Sequence, residues 1–138
     1  MKIASKKYQI GVKGIIVKNK KALIVENAKH EPNRYSLSGG QIDTGESIKQ
    51  ALEREIKEEL GIKKIKIVKL LNVFERMDRA KNDNGLMVVV YQIEANASKI
   101  KLSNEHVDYK WVNKEELLAL NKKNNFNKGI VNALLSVL

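Results

Sequence analysis

The stretch Gly40–Ile62, GQIDTGESIKQALEREIKEELGI, decides how this chain is read. A turn rich in glycine runs into a segment that carries Glu55, Glu58 and Glu59, with Arg54 beside them. At ~100° per residue of a helix, the three carboxylates and Ile62 fall within about a quarter-turn of one face. Glu55 and Glu59 are also a like-charge i,i+4 pair, which costs an isolated helix roughly 0.2–0.5 kcal/mol and is offset by a nearby cation. A cluster of hard oxygen ligands suits Mg²⁺ or Mn²⁺, and substrate phosphates usually complete such a site.

Working outward, residues 47–60 predict a helix ending at Gly61, a natural C-cap. Ile48, Leu52, Ile56 and Leu60 recur every four residues and, flanked by Ala51, form its expected buried stripe. The carboxylates then sit on a helix whose other side is anchored in the core, which favours a rigid site. A plainer reading of EREIKEEL is a salt-laced surface helix, since Lys49–Glu53, Glu53–Lys57 and Arg54–Glu58 are i,i+4 pairs of opposite sign.

Upstream, residues 7–18 and 22–26 read as two strands joined by a turn at Asn19-Lys20-Lys21, and Tyr35–Ser38 as a short extended piece. Downstream, 65–77 and 86–95 read as longer strands around a polar connection, and Tyr109–Val112 as a further strand. Asn113 with Glu116 predicts a capped helix in NKEELLAL, and the spacing of Ile130, Val131, Leu134, Leu135 and Leu138 predicts a closing amphipathic helix. This periodicity alone supports an α/β or α+β class.

The 138 residues predict one domain spanning 1–138, with 43% hydrophobic and 30% charged residues marking it as globular. The chain has no apolar run of membrane-spanning length and no signal-peptide pattern at MKIASKKYQI, so a cytoplasmic protein without membrane association is expected. The absence of Cys excludes a disulfide framework, a thiolate zinc site and a cysteine nucleophile. A formal charge of +10 attracts polyanions. Lys and Asn are spread along the whole chain, however, and in the densest cluster, Lys63, Lys64, Lys66 and Lys69, lysines alternate with Ile65 and Ile67 as on the solvent face of a strand. RNA binding is therefore possible but not favoured over a small-molecule nucleotide partner.

The central stretch resembles the Nudix box, G-x5-E-x7-R-E-U-x-E-E-x-G-U, with U a bulky aliphatic. Gly40, Glu46, Arg54, Glu55, Ile56, Glu58, Glu59, Gly61 and Ile62 fill all nine specified positions without a gap, over one sixth of the chain. The complete motif, with glycine at both ends, decides against the plain salt-laced helix. Resemblance to the Nudix (MutT-like) hydrolase superfamily implies an α/β/α sandwich with a mixed β-sheet. It also implies Mg²⁺-dependent attack of water on a phosphorus of a nucleoside diphosphate linked to another group, with Mn²⁺ as a possible substitute.

By the same resemblance Glu55, Glu58 and Glu59 are the main metal ligands, with a carbonyl of Gly39 or Gly40 as an addition. Glu58, Glu59 and Arg54 belong to the catalytic set, Arg54 orienting a neighbouring carboxylate rather than touching substrate. Glu46 and Gly61 are structural within the motif. Glu46 holds the geometry between loop and helix, or acts through the helix dipole for ~0.3–1 kcal/mol. Family members often place a further acid on a loop before a strand ending in Trp-Val. Glu105, ahead of Trp111-Val112, is the corresponding choice for general base or extra ligand, with Asp83 as the alternative. His106 and His30 are given no role.

Where family members often read Trp-x-Leu-Pro-Gly-Gly, this chain has Tyr35-Ser36-Leu37-Ser38-Gly39-Gly40. Ser for Pro loosens the entry turn and removes no ligand. The markers of ADP-ribose, dinucleoside polyphosphate and coenzyme A hydrolases are missing, and the missing Cys argues against the isoprenoid diphosphate isomerases. A nucleoside triphosphate or modified nucleotide is what is left. Tyr35, Phe74, Tyr91 and Phe126 are the candidates for stacking on a base, Asn125 or Asn127 for its edge, and Arg76 and Arg79 for phosphates. Two other functions compete: a non-catalytic nucleotide- or RNA-binding module, and removal of pyrophosphate from RNA 5′ ends. Non-catalytic relatives usually lose one or more acids of the box, and this chain keeps all of them. Monomer and homodimer remain equally open.

Overall fold

A computed structural model describes residues 7–27, 34–81, 84–104 and 106–138. The chain runs β1 (Tyr8–Lys18), β2 (Lys21–Asn27), β3 (Tyr35–Ser36), β4 (Ser38–Gln41), α1 (Ile48–Leu60), β5 (Ile65–Lys81), β6 (Asn84–Ala95), β7 (His106–Val112), α2 (Lys114–Asn124) and α3 (Lys128–Leu135). The turn between β1 and β2 has Asn19 and Lys20 at φ 52° and 61°, the double left-handed bend whose twist matches a two-residue hairpin.

β1 is the organising strand. It pairs in parallel with β6 from Tyr8↔Gly85 to Ile16↔Ile93, antiparallel with β4 from Gly11↔Gln41 to Gly14↔Ser38, and antiparallel with β2 beyond Val17. The sheet order is β3-β2-β1-β6-β5, with β7 paired to β2, so the sheet is mixed. Alternation along the strands sends Val12, Ile16, Leu23, Val25 and Ile93 to one face, where Ala51, Leu52, Ile56 and Leu60 of α1 cover them. Ile15, Ala22, Ile24, Val88 and Val90 face the other way, onto Leu117 of α2 and Ile130, Val131 and Leu134 of α3. Helices on both faces of a mixed sheet give the expected α/β/α sandwich. Among the described residues, no helix is long and apolar enough to cross a membrane.

The helix carrying the acids begins one residue later than the spacing predicts. Ser47 keeps an extended backbone (φ −77°, ψ 166°) and closes a capping box with Gln50, and Gly61 ends the helix in the left-handed conformation (φ 70°). The expected stripe also needs correction. Leu52, Ile56 and Leu60 are fully buried, but Ile48 is 38% exposed and belongs to neither core cluster. Its angle on the helix is within about 40° of Leu52, so the reason is axial: it stands in the first turn, among exposed residues that extend past the sheet. Three fully buried aliphatic side chains contribute ~1.5–3 kcal/mol each. That outweighs the repulsion between Glu55 and Glu59 and holds α1 in place.

Ile56→Ala is expected to cost ~2–5 kcal/mol in urea unfolding, and Ile48→Ala under about 1 kcal/mol. Equal losses would mean that the first turn packs on the core after all.

Candidate active site

The three carboxylates of α1 differ in burial as their angles on the helix dictate. Glu59 lies seven residues after Leu52, about 20° from it around the helix, and is only 8% exposed. The Glu55 side chain, further round, is 15% exposed, and that of Glu58, at the solvent edge, is 59% exposed. What faces the two inner acids is bare backbone. A Cβ at Gly40 would stand 2.4 Å from Glu55 Oε1, and one at Gly39 (φ 146°) would stand 2.0 Å from the Val12 carbonyl oxygen. Position 39 therefore requires glycine, whereas a side chain at Gly40 would displace the Glu55 carboxylate, and the bare strand lets the acids of α1 reach it.

Arg54 ties the entry loop to the helix. Its Nε and Nη2 donate to the two carboxylate oxygens of Glu46 at 2.8 and 2.9 Å, Nη2 also to the Gln41 carbonyl at 3.0 Å, and Nη1 to Glu55 Oε1 at 2.8 Å. Asp43 and Glu58 complete the ring of acids at 3.4 and 3.5 Å. Glu46 precedes the cap and accepts from Asp43 N at 2.9 Å, so its carboxylate serves the loop and Arg54. The bidentate Arg54 contact, then the Asp43 N–H, hold its carboxyl down at about 2. Its partner Arg54 is raised in turn, by Glu46 foremost.

Glu59 Oε2 accepts from Ser38 Oγ at 2.7 Å and from Gly39 N at 3.2 Å. Burial pushes its pKa up to about 7, against the opposing pull of Lys13, the Ser38 hydroxyl and the Gly39 N–H. Lys13 Nζ donates to the Gly39 carbonyl at 3.3 Å. At the end of the helix, Lys101 N and Ser103 N donate to the carbonyls of Leu60 and Glu59 at 2.9 and 3.1 Å, satisfying two of its last acceptors.

A cavity of about 260 Å³ opens beside this cluster. Its lining includes Gly39, Gly40 and Glu59, the cations Lys13, Arg34 and Arg76, and Tyr35, Phe126 and Asn127. Four residues named from the sequence for substrate contact, Arg76, Tyr35, Phe126 and Asn127, are thus brought together. The Tyr35 and Phe126 rings meet edge to face, centroids 6.5 Å apart at 76°, with Lys110 Nζ 5.2 Å from the Tyr35 centroid. That contact leaves no parallel slot between the rings. Asn127 caps α3, its Oδ1 accepting from Gly129 N at 2.8 Å, so its Nδ2 is the end left to face a ligand.

Other stacking and edge candidates lie elsewhere. The Phe74 ring packs on Gly129, where a Cβ would stand 2.3 Å from it. Tyr91 joins the core on the α1 side of the sheet, and Asn125 is the left-handed C-cap of α2. Glu105, Asp83 and His30 lie outside the described residues, as do the side chains of Arg79 and His106. Sequence reasoning missed Lys13, Arg34 and the bond from Ser38. A lone lysine inside the apolar run Val12–Val17 was the available signal for the first.

Oxygen is all that the acidic cluster offers, which fits a hard divalent cation. Glu59 lines the cavity, Glu55 lies against Gly40 of the bare strand, and Glu58 is the most exposed of the three. Among the described residues no three acidic or imidazole side chains already stand together as a cage. Substrate phosphates would have to supply the remaining ligands.

A family model described as NUDIX domain matches residues 7–134. The nucleoside triphosphatase NudI of Shigella flexneri is 28% identical over 95 residues, covering 63% of this chain and 67% of that one. In fold, the chain is similar to the MutT protein from Methanosarcina mazei, with TM-score 0.77 and 22% identity over 98% of this chain and 96% of that one. It is also similar to the E. coli ORF135 protein, with TM-score 0.76 and 21% identity over 98% and 91%.

The Glu46 contact predicts a pH signature. Its folded pKa is about 2 against an ordinary 4.5, so its stabilisation is complete above pH 4.5 and is lost as pH falls through about 2. The gap in urea midpoint between wild type and Glu46→Gln should be constant above pH 4.5 and shrink below it. A gap independent of pH would contradict the ion pair.

Proposed function

This chain belongs to the NUDIX domain family and is a hydrolase of it, and we propose that it cleaves, with a divalent metal ion, the phosphoric anhydride of a nucleoside diphosphate linked to another group. A nucleoside triphosphate or a modified nucleotide is the substrate that fits best. The observation that carries this reading is one cavity with two unlike kinds of lining: Glu59 with the bare glycine backbone on which Glu55 also rests, and the aromatic rings of Tyr35 and Phe126 with the Asn127 amide.

Bound Mg²⁺ or Mn²⁺ would neutralise phosphate oxygens and lower the pKa of an attacking water. Glu55, Glu58 and Glu59 are the residues that would hold it. Arg54 keeps Glu55 oriented and ties the loop to the helix, so the acids are placed before substrate arrives. Lys13, Arg34 and Arg76 line the same cavity and would meet a polyphosphate bound there. A base would meet Tyr35 or Phe126 singly, and Asn127 Nδ2 would donate to an acceptor on its edge. Glu105 is the proposed general base. Two positions before it, Ser103 is tied to the Glu59 carbonyl. The named activity of the NudI relative supports the triphosphate reading.

A panel of nucleoside triphosphates, oxidised nucleotides, ADP-ribose, dinucleoside polyphosphates and 5′-triphosphorylated RNA, assayed with Mg²⁺ and with Mn²⁺, tests the proposal. Glu58→Gln and Glu59→Gln should each lower turnover of the substrate found by about 10²-fold or more while circular dichroism is unchanged. Full activity in both would overturn it. Glu105→Gln should lower kcat by about 10²–10⁴-fold and leave the urea midpoint unchanged. An unaltered kcat would remove Glu105 as the base.

A further inference from the structure

We propose that Ser38 is a positioning residue for Glu59, setting the orientation in which that carboxylate meets the metal ion. This rests on the reading of Glu59 as a metal ligand. Ser38 is 4% exposed and Glu59 8%, so neither side chain has bulk water to turn to. The Ser38 hydroxyl donates to Glu59 Oε2 at 2.7 Å, and the next residue's N–H reaches the same oxygen at 3.2 Å. The terminal torsion of a glutamate is broad and two-fold, so a carboxylate held at one point can still swing. Two donors from adjacent residues of β4, converging on one oxygen, define its plane. The Gly39 donor comes with the backbone and is available whatever stands at 38. The hydroxyl is a departure from the motif the chain resembles, whose common proline at this position has no donor.

The position also explains why the hydroxyl is tolerated. A serine buried in a strand requires a partner, and Glu59 is the one it has across the gap between β4 and α1. Removing the hydroxyl while keeping the strand takes away the shorter of the two bonds to Glu59 Oε2 and keeps the Gly39 N–H. Side chains that hydrogen-bond a metal-ligating group typically matter about 10–100-fold for metal affinity or activity.

The test measures Mn²⁺ binding to the intact protein without nucleotide, by the electron paramagnetic resonance of free Mn²⁺, together with kcat and KM. Four proteins are compared: wild type, Ser38→Ala, Glu59→Gln and the double variant. Ser38→Ala is expected to weaken Mn²⁺ binding about 10-fold, to lower kcat more than it changes KM, and to have no further effect on Mn²⁺ binding once Glu59 is Gln. Ser38→Cys, close in shape and a weak donor, should fall between Ser and Ala. If Ser38→Ala binds Mn²⁺ like wild type while Glu59→Gln does not, Ser38 has no positioning role and the reading of Glu59 stands. If the Ser38→Ala loss persists in the Glu59→Gln background, it is structural and the proposal fails. If Glu59→Gln itself binds Mn²⁺ like wild type, the metal-ligand reading falls and the proposal falls with it.

Discussion

A carboxylate can lie flat against a β-strand only where the strand has no side chain in the way. In this protein the two glycines of β4 meet that condition for different reasons. Gly39 has a positive φ and its Cα lies so close to β1 that any Cβ would strike the Val12 carbonyl. Gly40 lies under the Glu55 carboxylate, which occupies the place of its missing side chain. Because of both, α1 carries its acids up to the sheet edge, the Arg54 guanidinium reaches back to Glu46 and the Gln41 carbonyl, and the cavity has an acidic lip. A methyl group at Gly39 would strike the β1 backbone, and one at Gly40 would displace the Glu55 carboxylate.

The charges around that lip are arranged unevenly. One guanidinium serves Asp43, Glu46, Glu55 and Glu58, whereas Glu59, the most buried of the box acids, accepts from the Ser38 hydroxyl and the Gly39 N–H and feels the charge of Lys13. In a chain of net charge +10, a patch with more acids than bases is the exception. Burying a carboxylate is costly unless something offsets it, and burial raises the Glu59 pKa as a result. Glu59 is therefore the group with most to gain from a cation arriving in the cavity. The exposed Glu58 has the least to gain but can adjust most easily, since weak surface pairs hold little energy.

How much could be read beforehand depended on the range of the interaction. Gly40 to Ile62 repeats a motif whose spacing is that of one helix and its two ends, so the cap at Gly61, the shared face of Glu55, Glu58 and Glu59, and the family could be read along the chain. The burial of Glu59 was also legible, from its seven-residue offset to Leu52, although the four-residue stripe through Ile48 drew attention away from it. The pairing of Asn113 with Glu116 was equally local, and it appears as a capping box. Ile48 went wrong because periodicity gives an angle around a helix and says nothing about where along its axis the sheet ends.

The sequence by itself determined the elements, the acids on one helical face and the hydrolase family, because each rests on neighbours within a few turns of chain. Only the tertiary structure decided which of the proposed ligand-binding residues share a cavity. Tyr35 and Phe126 are far apart in sequence and touch because β3, paired to the edge of β2, turns Tyr35 to the sheet face that α2 and α3 cover, whereas Tyr91 points to the opposite face by strand alternation. Ser38 acquired its bond to Glu59 in the same way, across a gap of 21 residues closed by the packing of α1 on β4. Side-chain chemistry is written locally, but the distance between two distant residues is set by strand order and by which face each side chain takes. Those are properties of the whole sheet.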